Sequence, residues 1–474
     1  MKRKNFINMV SGAAITAGLS PFLLADGKSK GRTSQNIQMN QNISFQNITR
    51  FGDGRDWFLD NRFGMFVHWG LYSIRGWHEQ HQWRGGIKRS EYVKLAKFWN
   101  PNKFDPNHWL DVLQEANMKY ITVTTKHHDG FCLWDTKQTG YNTMNTPYKK
   151  DVIGLLSDAC HKRGVPLCLY YSIADWHHPN YPNQGRSHEL SGPEDGDSQD
   201  VNKYLEYVRE QMRELCTNYG DIHGIWWDMN VLDHKDPTFN EMIRKLQPKA
   251  VIDNRGFDEG DFGTPERNYS KDEALTFERP TEACQSVDMQ SWGYRKNNDF
   301  YTDGFLIRSI DRYLSRNANF LLNIGPKADG SISDESVAIL KRIGKWYGAV
   351  KESLEKVVPS SSLIVNRDVM LTKRDNVLYV HLNKEITGNM VNLRPINVAP
   401  VKATLLNDNS KVDFSIRFLP YEFTGKKAFL NLINLNVNNL TNTSPIIKLE
   451  FDRPLNELVL ESVPQDNDSG WVSL

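Results

Sequence analysis

The sequence predicts a parallel β/α barrel followed by an all-β domain. Three observations support this fold class. Between about residues 50 and 355, short apolar runs alternate with amphipathic helical segments, which is typical of a parallel sheet. Several of these runs end in polar or aromatic side chains, as expected for a barrel that has its active site at the carboxyl ends of its strands. After Pro359, short alternating runs are separated by Asn, Asp, Gly and Pro, which is typical of a β-sandwich.

Seven runs are predicted to be strands of the barrel, and no eighth strand is visible. In the clearest run, Gly224, Ile225 and two tryptophans precede the single carboxylate of Asp228. A buried strand that ends in this way is expected to direct its carboxylate into a pocket. Between the strands, segments such as Val201–Tyr219 carry apolar residues at spacings of three and four, which indicates helices. The predicted strands are Arg62–Gly70, Tyr120–Asp129, Pro166–Trp176, Ile222–Met229, Ala250–Gly256, Gln290–Tyr294 and Ala318–Pro326.

The pattern of the sequence divides the chain into four segments. Residues 1–25 combine a basic start with a mostly apolar run and a small residue at the end, which is typical of an export signal. Polar residues and a proline interrupt this run, so no permanent membrane span is expected, and the protein is predicted to be periplasmic or secreted. Residues 26–48 are rich in Ser, Asn and Gln and are predicted to be a linker. The barrel is expected at 49–357 and the β-sandwich at 358–474.

Seven short runs in the last segment are predicted to be strands of the β-sandwich. They alternate apolar and polar residues, as strands with one buried face do. The runs are Ser362–Val365, Val369–Thr372, Val377–Asn383, Lys402–Leu406, Asp413–Phe418, Ala428–Leu432 and Ile446–Phe451.

Composition narrows the classes of function. The chain has 58 basic and 57 acidic residues and a net charge of +1, so it lacks the basic character expected of a nucleic-acid-binding protein. Its five cysteines include no Cys-x-x-Cys pair and are predicted to be buried thiols. His127 and His128 are adjacent, whereas a His-x-His pair would place two ligands on one face of a strand. We therefore expect no metal and no cofactor, with a metal-dependent hydrolase as the alternative. The sequence does not predict the oligomeric state.

The carboxylates favour the hydrolysis of a glycoside. Asp228 can act as a nucleophile if a second carboxyl group lies about 5 Å away and serves first as acid and then as base. Glu266 and Glu282 are the candidates for this second group, and both lie in loop-like sequence between the fifth predicted strand and the next. Arg255 is expected to lower the pKa of Asp228, whereas burial and the Asp228 anion are expected to raise the pKa of the acid.

Six sequence blocks resemble the signature segments of a known enzyme family. The blocks are Arg62–Ser73, Lys126–Asp135, Tyr170–Trp176, Trp226–Asp228, Ser291–Tyr294 and Asn319–Pro326. Together, and in this order, they resemble glycoside hydrolase family 29, the α-L-fucosidases. The resemblance implies a distorted (β/α) barrel with a C-terminal β-sandwich and a retaining mechanism without a metal. It also implies that the substrate is a fucosylated oligosaccharide or glycoconjugate, from which terminal α-L-fucose is released.

The resemblance also assigns roles to single residues. It matches Asp228 to the nucleophile and either Glu266 or Glu282 to the acid and base, with Glu266 ranked first. In the family, the residues that match His68, His127 and His128 bind the hydroxyl groups of fucose, and the residue that matches Trp292 packs near the methyl group. The residues matched to sugar contacts are His68, Trp83, His127, His128, Tyr171, Arg255 and Trp292.

The loop after the first strand departs from the family pattern. The family commonly has Glu-Trp in this loop, where the present sequence has Gln82 and Trp83. Glutamine can donate and accept hydrogen bonds but carries no charge. Alternatively, Glu79 takes the role of the acidic residue in a shifted register. Two other functions stay open, namely an exo-glycosidase of the same fold that acts on α-L-galactosides and a catalytically dead barrel that binds fucose.

Overall fold

The structure is a computed structural model, and it describes most of the two predicted domains. The predicted export signal and most of the predicted linker lie outside the described residues. Among the described residues, none of the helices combines the length and the apolar character needed to cross a bilayer. The described residues are 41–42, 48–266, 277–360, 369–384, 387–393, 398–417, 429–455 and 459–460.

Seven parallel strands form the central sheet. They are β1 (Phe63–Val67), β2 (Tyr120–Lys126), β3 (Leu167–Ser172), β4 (Gly224–Asp228), β5 (Val251–Ile252), β6 (Glu282–Ser286) and β7 (Asn319–Ile324). Their order in space is β5-β4-β3-β2-β1-β7-β6. Every adjacent pair is parallel, so the carboxyl ends of all seven strands lie at the same edge. The predicted parallel sheet is confirmed.

An irregular segment occupies the position of an eighth strand. Single parallel bridges join Phe262 to Asp253 at the end of β5, and Gly263 to Thr281 just before β6. A third bridge pairs Glu266 with Cys284 inside β6. The segment therefore lies between the two edge strands and makes a distorted barrel of the curled sheet. It also carries Glu266 toward the edge where the strands end.

Six helices of nine or more residues flank the sheet, and their apolar faces join the outward side chains of the strands in one core. Five of the six begin with an Asp, Thr or Ser that accepts a backbone N–H, which stabilises a helix start. The helices are α1 (Pro106–Glu115), α2 (Val152–Arg163), α3 (Val201–Thr217), α4 (Thr238–Leu246), α5 (Asp303–Leu314) and α6 (Asp334–Val350). Shorter helices lie at Trp57–Asp60, Tyr72–Arg75, His81–Arg84 and Arg89–Tyr92.

Successive side chains of the strands face opposite sides of the sheet, as strand geometry requires. Tyr170 and Trp226 belong to a cluster inside the barrel together with Phe66 and Tyr120. Their neighbours in sequence, including Tyr171, belong to the larger core shared with the helices. This alternation decides which member of each aromatic pair can reach a pocket inside the barrel.

The sixth strand does not lie where the sequence predicts it. The prediction of a strand at Gln290–Tyr294 is wrong, because these residues form a loop and β6 is Glu282–Ser286. All five residues of β6 are buried although three of them are polar. Polar residues inside a short strand hide the apolar pattern from which strands are predicted. The prediction that Glu282 lies in a loop is therefore also wrong.

The described part of the C-terminal segment is all β, as predicted. One antiparallel sheet has the order β13-β12-β16-β10-β9-β8 and a second has the order β11-β15-β14, with their own apolar core. The strands are β8 (Val358–Ser360), β9 (Met370–Arg374), β10 (Val377–His381), β11 (Val391–Leu393), β12 (Lys402–Leu405), β13 (Ser410–Lys411), β14 (Asp413–Arg417), β15 (Phe429–Ile433) and β16 (Ile446–Glu450). Six of the seven predicted runs coincide with strands, and the seventh, Ser362–Val365, lies outside the described residues.

A buried ion pair joins the sheet to the loop that follows β3. Lys126 Nζ lies 2.9 Å from Asp175 Oδ2, and the two side chains are 0% and 1% exposed. Burial alone would raise the pKa of Asp175, but Lys126 and other neighbours together outweigh burial and lower that pKa. The other carboxylate oxygen of Asp175 accepts the backbone N–H groups of His177 and His178. The pair therefore fixes the start of this loop.

Replacing Lys126 should destabilise the fold strongly. In Lys126→Met the Asp175 carboxylate is left buried without its cation, which should lower the free energy of unfolding by about 3–5 kcal/mol. Lys137→Met is the matched control, because its contact with Asp135 is exposed and should contribute less than about 1 kcal/mol. Denaturant unfolding of both variants measures the difference, and equal losses would contradict the role given to the buried pair.

Candidate active site

A pocket of about 130 Å³ lies at the carboxyl ends of the strands. Most of the side chains predicted to bind or react with substrate line it, which brings together residues far apart in sequence. The predicted residues that line the pocket are His68, His127, His128, Asp228, Arg255, Glu266 and Trp292. The other lining residues are Phe66, Glu79, Gln80, Tyr170, His188, Trp226, Met229 and Cys284.

Asp228 is the last residue of β4 and is held by two donors. Its Oδ1 accepts Arg255 Nη1 at 3.1 Å, and its Oδ2 accepts the hydroxyl of Tyr170 at 2.7 Å. Burial raises the pKa of Asp228, but the guanidinium of Arg255 and the hydroxyl of Tyr170, together with other neighbours, outweigh burial and lower it. Asp228 is therefore an ionised carboxylate at the base of the pocket.

Arg255 connects Asp228 to the second carboxylate. Its Nη2 donates to Glu266 Oε2 at 2.9 Å, and its Nε donates to Thr264 Oγ1 at 2.7 Å. The guanidinium carbon lies 4.6 Å from the ring centroid of Trp226. One planar cation thus holds two carboxylates, of which Asp228 has a 13% exposed side chain and Glu266 a 38% exposed one. The Glu266 side chain can exchange protons with water, whereas Asp228 is largely shielded.

His128 is a neutral acceptor directed at Asp228. Its Nδ1 lies 2.7 Å from Ser172 Oγ, and that hydroxyl donates its own hydrogen to the carbonyl of Ala174. Ser172 must therefore accept from His128, which places the imidazole hydrogen on Nδ1. Burial lowers the pKa of His128 to about 4. Its Nε2 consequently carries a lone pair, 4.0 Å from Asp228 Oδ2.

His68 is oriented by a hydrogen bond to the side-chain amide of Asn323. Its Nδ1 donates to Asn323 Oδ1 at 2.7 Å, and Asn323 Nδ2 donates to Ser286 Oγ and to the carbonyl of Trp292. The two amide donors fix which end of the Asn323 side chain is the oxygen. The ring of His127 lies against that of His128, with centroids 3.9 Å apart and an angle of 36° between the rings, and burial lowers the pKa of His127 well below the ordinary value. Imidazoles of this kind can donate to and accept from sugar hydroxyls.

Tyr171 does not reach the pocket, so its predicted position is wrong. Its hydroxyl donates to Gln211 in α3 at 2.7 Å, and Lys126 Nζ lies 4.4 Å from its ring centroid on the outer side of the sheet. Its neighbour Tyr170 faces inward and binds Asp228. Counting in steps of two along the strand from Ser172, which pairs with Asp228, identifies Tyr170 as the inward residue.

Glu282 lies inside the barrel and outside the lining of the pocket. Its Oε1 accepts the hydroxyl of Tyr120 at 2.5 Å, and its Oε2 accepts Trp226 Nε1 at 3.2 Å. Tyr120 and Glu282 are the first residues of β2 and β6, so they lie toward the ends of the strands away from the pocket. Burial raises the pKa of Glu282 to about 8, although both hydrogen bonds oppose this shift. Glu282 is a neutral acid beneath Trp226.

The loop after β1 presents Glu79 rather than Gln82 to the pocket. Glu79 is 2% exposed, and its Oε2 accepts the hydroxyl of Ser291 at 2.7 Å and the backbone N–H of Trp292 at 2.9 Å. This position agrees with the alternative in which Glu79, in a shifted register, stands for the acidic residue of the family pattern. Trp83 does not line the pocket either but stacks on His188, which does, with ring centroids 4.9 Å apart.

Several lining residues were not predicted from the sequence, and Tyr170, Trp226 and His188 show why. Tyr170 and Trp226 could have been found from the alternation of side chains along β3 and β4. His188 lies in the long loop after β3, where no periodic pattern indicates which side chain turns inward. Within the described parts of the chain, no cluster of three His, Cys, Asp or Glu side chains has the geometry of a metal site. All five cysteines are buried and free, as predicted.

Comparison with known proteins agrees with this geometry. The sequence model of the α-L-fucosidase family matches residues 32–352. The structure is similar to α-L-fucosidase isoenzyme 1 from Paenibacillus thiaminolyticus, with 31% identity over 86% of this chain and 99% of that chain and a TM-score of 0.72. It is also similar to a family 29 α-L-fucosidase from Bacteroides thetaiotaomicron, solved as a covalent intermediate trapped with 2-fluoro-fucosyl fluoride in a Glu-to-Gln mutant. For that structure the identity is 26% over 86% of this chain and 98% of that chain, and the TM-score is 0.71.

A curated relative gives the same result. Tissue α-L-fucosidase from Rattus norvegicus is 28% identical over 380 residues, which cover 74% of this chain and 81% of the rat protein. The family match extends over the whole barrel, including the pocket and its two bridged carboxylates. The chain therefore belongs to the α-L-fucosidase family, glycoside hydrolase family 29.

Proposed function

We propose that the protein releases terminal α-L-fucose from fucosylated oligosaccharides or glycoconjugates with retention of configuration, using Asp228 as nucleophile and Glu266 as acid and base. The observation that carries this proposal is the guanidinium of Arg255, which contacts both carboxylates at the pocket. The pocket is small and has Trp226 in its lining, which suits a terminal sugar rather than the interior of a chain. The covalent intermediate trapped in the Bacteroides relative supports a two-step mechanism.

In the first step, Glu266, which has taken up a proton from water, donates that proton to the glycosidic oxygen while an oxygen of Asp228 attacks the anomeric carbon. The bond between the anomeric carbon and that oxygen breaks, and the rest of the glycan leaves as an alcohol. The product is a β-fucosyl ester of Asp228. Because Asp228 is already ionised, no proton has to leave it before it attacks.

In the second step, Glu266 accepts a proton from water as the water oxygen attacks the anomeric carbon. The ester bond breaks, the Asp228 carboxylate is restored, and α-L-fucose is released. Glu266 is the more exposed of the two carboxylates, so water can reach it after the leaving group has departed. Arg255 contacts Asp228 and keeps its negative charge balanced in the free enzyme.

The imidazoles supply the selectivity for hydroxyl groups. His128 has its Nδ1 hydrogen bound by Ser172 and presents Nε2 toward the pocket, and the imidazole of His68, oriented by Asn323, also lines the pocket. An acceptor that finds no donor in a bound sugar costs about 1–3 kcal/mol, so a sugar with misplaced hydroxyls binds less tightly. Gln82 stands where the family commonly has an acidic residue, but Glu79 and not Gln82 lines the pocket. The glutamine therefore does not favour a catalytically inactive barrel that only binds fucose. A panel of aryl glycosides distinguishes α-L-fucosidase from α-L-galactosidase activity.

We also propose that the protein is exported. The basic start and apolar run of residues 1–25 support this, and amino-terminal sequencing of the mature protein should then begin shortly after Ala25. A mature protein that still begins at Met1 would contradict export.

Removing the nucleophile should abolish hydrolysis. Asp228→Gly should lower kcat on an aryl α-L-fucoside by at least about 10³-fold, because the covalent intermediate can no longer form. Azide should restore turnover by entering the vacated space and should yield β-fucosyl azide. Nuclear magnetic resonance of the product identifies its configuration. A folded variant that keeps its activity, or that loses it without azide rescue, would contradict the assignment.

Matched amide variants separate the two glutamates. Glu266→Gln should lower kcat/KM by about 10²–10⁴-fold on substrates with poor leaving groups and much less on an activated aryl fucoside, with azide yielding the α-fucosyl azide. Glu282→Gln keeps an acceptor for Trp226 and resembles the neutral acid, so its activity should stay within about fivefold for every leaving group. If the loss in Glu282→Gln instead grows with the pKa of the leaving group, Glu282 is the acid.

A further inference from the structure

A second concave surface adjoins the pocket, and we call it the side groove. It has a volume of about 870 Å³ and lies between the segment 83–90 and the loop 185–195. Its lining combines an indole and aliphatic side chains with charged and hydroxyl groups. Among the lining residues are Trp83, Ile87, Lys88, Leu190, Ser191 and Glu194.

The side groove and the pocket share one wall. Trp83 lines the groove, His188 lines the pocket, and their rings are stacked at an interplanar angle of 26°. The carbonyl of His188 accepts Trp176 Nε1 at 2.8 Å, and the ring of Trp176 packs edge-on against His128. The wall is therefore attached to an imidazole that lies beside Asp228, which places the groove next to the pocket.

The backbone of His188 is held in an unusual conformation. Its φ is +64°, in the left-handed region that non-glycine residues rarely adopt. Such a conformation persists only where the surroundings enforce it, and it is frequent in ligand-binding segments. The neighbouring Glu189 is 1% exposed and accepts the hydroxyl of Tyr181 and the guanidinium of Arg186. The turn that places His188 between groove and pocket is thus fixed by buried hydrogen bonds.

Arg89 ties the two sides of the side groove together. Its backbone N–H donates to Glu194 Oε1, and its Nη2 donates to Asp197 Oδ1 at 2.7 Å. Its Nη1 donates to the carbonyl of His177 at 3.0 Å, at the start of the same loop. The groove is therefore formed before any ligand binds, and binding does not require ordering of its walls.

We propose that the side groove is the leaving-group subsite, which binds the saccharide to which the terminal fucose is attached. This proposal rests on the proposed function. The pocket has room for a single sugar ring, so the next rings must lie outside it, and the groove is the adjoining surface of suitable size. The half-buried indole of Trp83 offers a flat apolar surface for the C–H face of a sugar ring. Lys88, Ser191 and Glu194 offer donors and acceptors for its hydroxyls.

The test compares two substrates in the same variants of the full-length enzyme. Trp83→Ala should lower kcat/KM on a fucosylated trisaccharide about tenfold relative to kcat/KM on an aryl α-L-fucoside, whereas Trp83→Phe should retain at least half of the wild-type ratio. Trp77→Ala is the control, because Trp77 is also an exposed indole of the same loop but lies outside the side groove, and it should leave the ratio unchanged.

The possible outcomes separate the proposals. An unchanged ratio in Trp83→Ala overturns the leaving-group subsite, and so does an equal loss on both substrates, which would mean that Trp83 acts only through His188 in the pocket. Ser191→Trp fills the side groove from the opposite wall and should lower the ratio in the same direction, even if Trp83→Ala folds poorly. If the wild-type enzyme hydrolyses neither substrate, the proposed function fails rather than the groove.

Discussion

Ser172 and Asp228 lie opposite each other in the parallel pairing of β3 with β4, and this register sets the geometry of the site. Ser172 orients His128, and Tyr170, two residues earlier in β3, orients Asp228. A shift of one residue would turn Asp228 and Trp226 out of the barrel, because side chains alternate between the two faces. Burial of both faces of the sheet makes such a shift costly. The Asp228 carboxylate is thus positioned by the hydrogen bonds of the sheet and not by a loop.

Burial acts in opposite directions on the acids and bases of this barrel, and Arg255 decides the result. Burial lowers the pKa of His128 to about 4, so the imidazole is neutral. It also acts to raise the pKa of Asp228, but Arg255 and the Tyr170 hydroxyl, together with smaller contributions from other neighbours, lower that pKa. Glu282 lies deeper in the same barrel with only two neutral donors, and its pKa rises to about 8. The pKa values of two buried carboxyl groups are therefore shifted in opposite directions, and the carboxyl group whose pKa is lowered is the one that contacts a cation.

The long loop after β3 contributes to the pocket although it has little regular structure. The buried pair of Lys126 and Asp175 holds its beginning, and Arg89 holds its middle against the segment that carries Trp83. Charged side chains inside a protein fix a backbone strongly, because breaking one contact leaves an uncompensated charge. The same contacts that stabilise the outer face of the barrel thereby shape the wall between the pocket and the side groove.

The sequence by itself determined the parallel barrel, the all-β domain, the family and most of the pocket. Side chains at the ends of successive strands could be assigned to one site because the carboxyl ends of parallel strands meet at one edge. Only the tertiary structure decided between Tyr170 and Tyr171, since both are aromatic and the register alone turns one of them inward. Only the tertiary structure shows that Glu266 lines the pocket and Glu282 does not, because a short strand with polar residues resembles a loop until its partners are known. The structure also places Glu79 rather than Gln82 at the pocket. The sequence does not predict this, because the path of a loop depends on contacts such as the hydrogen bond between Glu79 and Ser291, which is more than two hundred residues away in the chain.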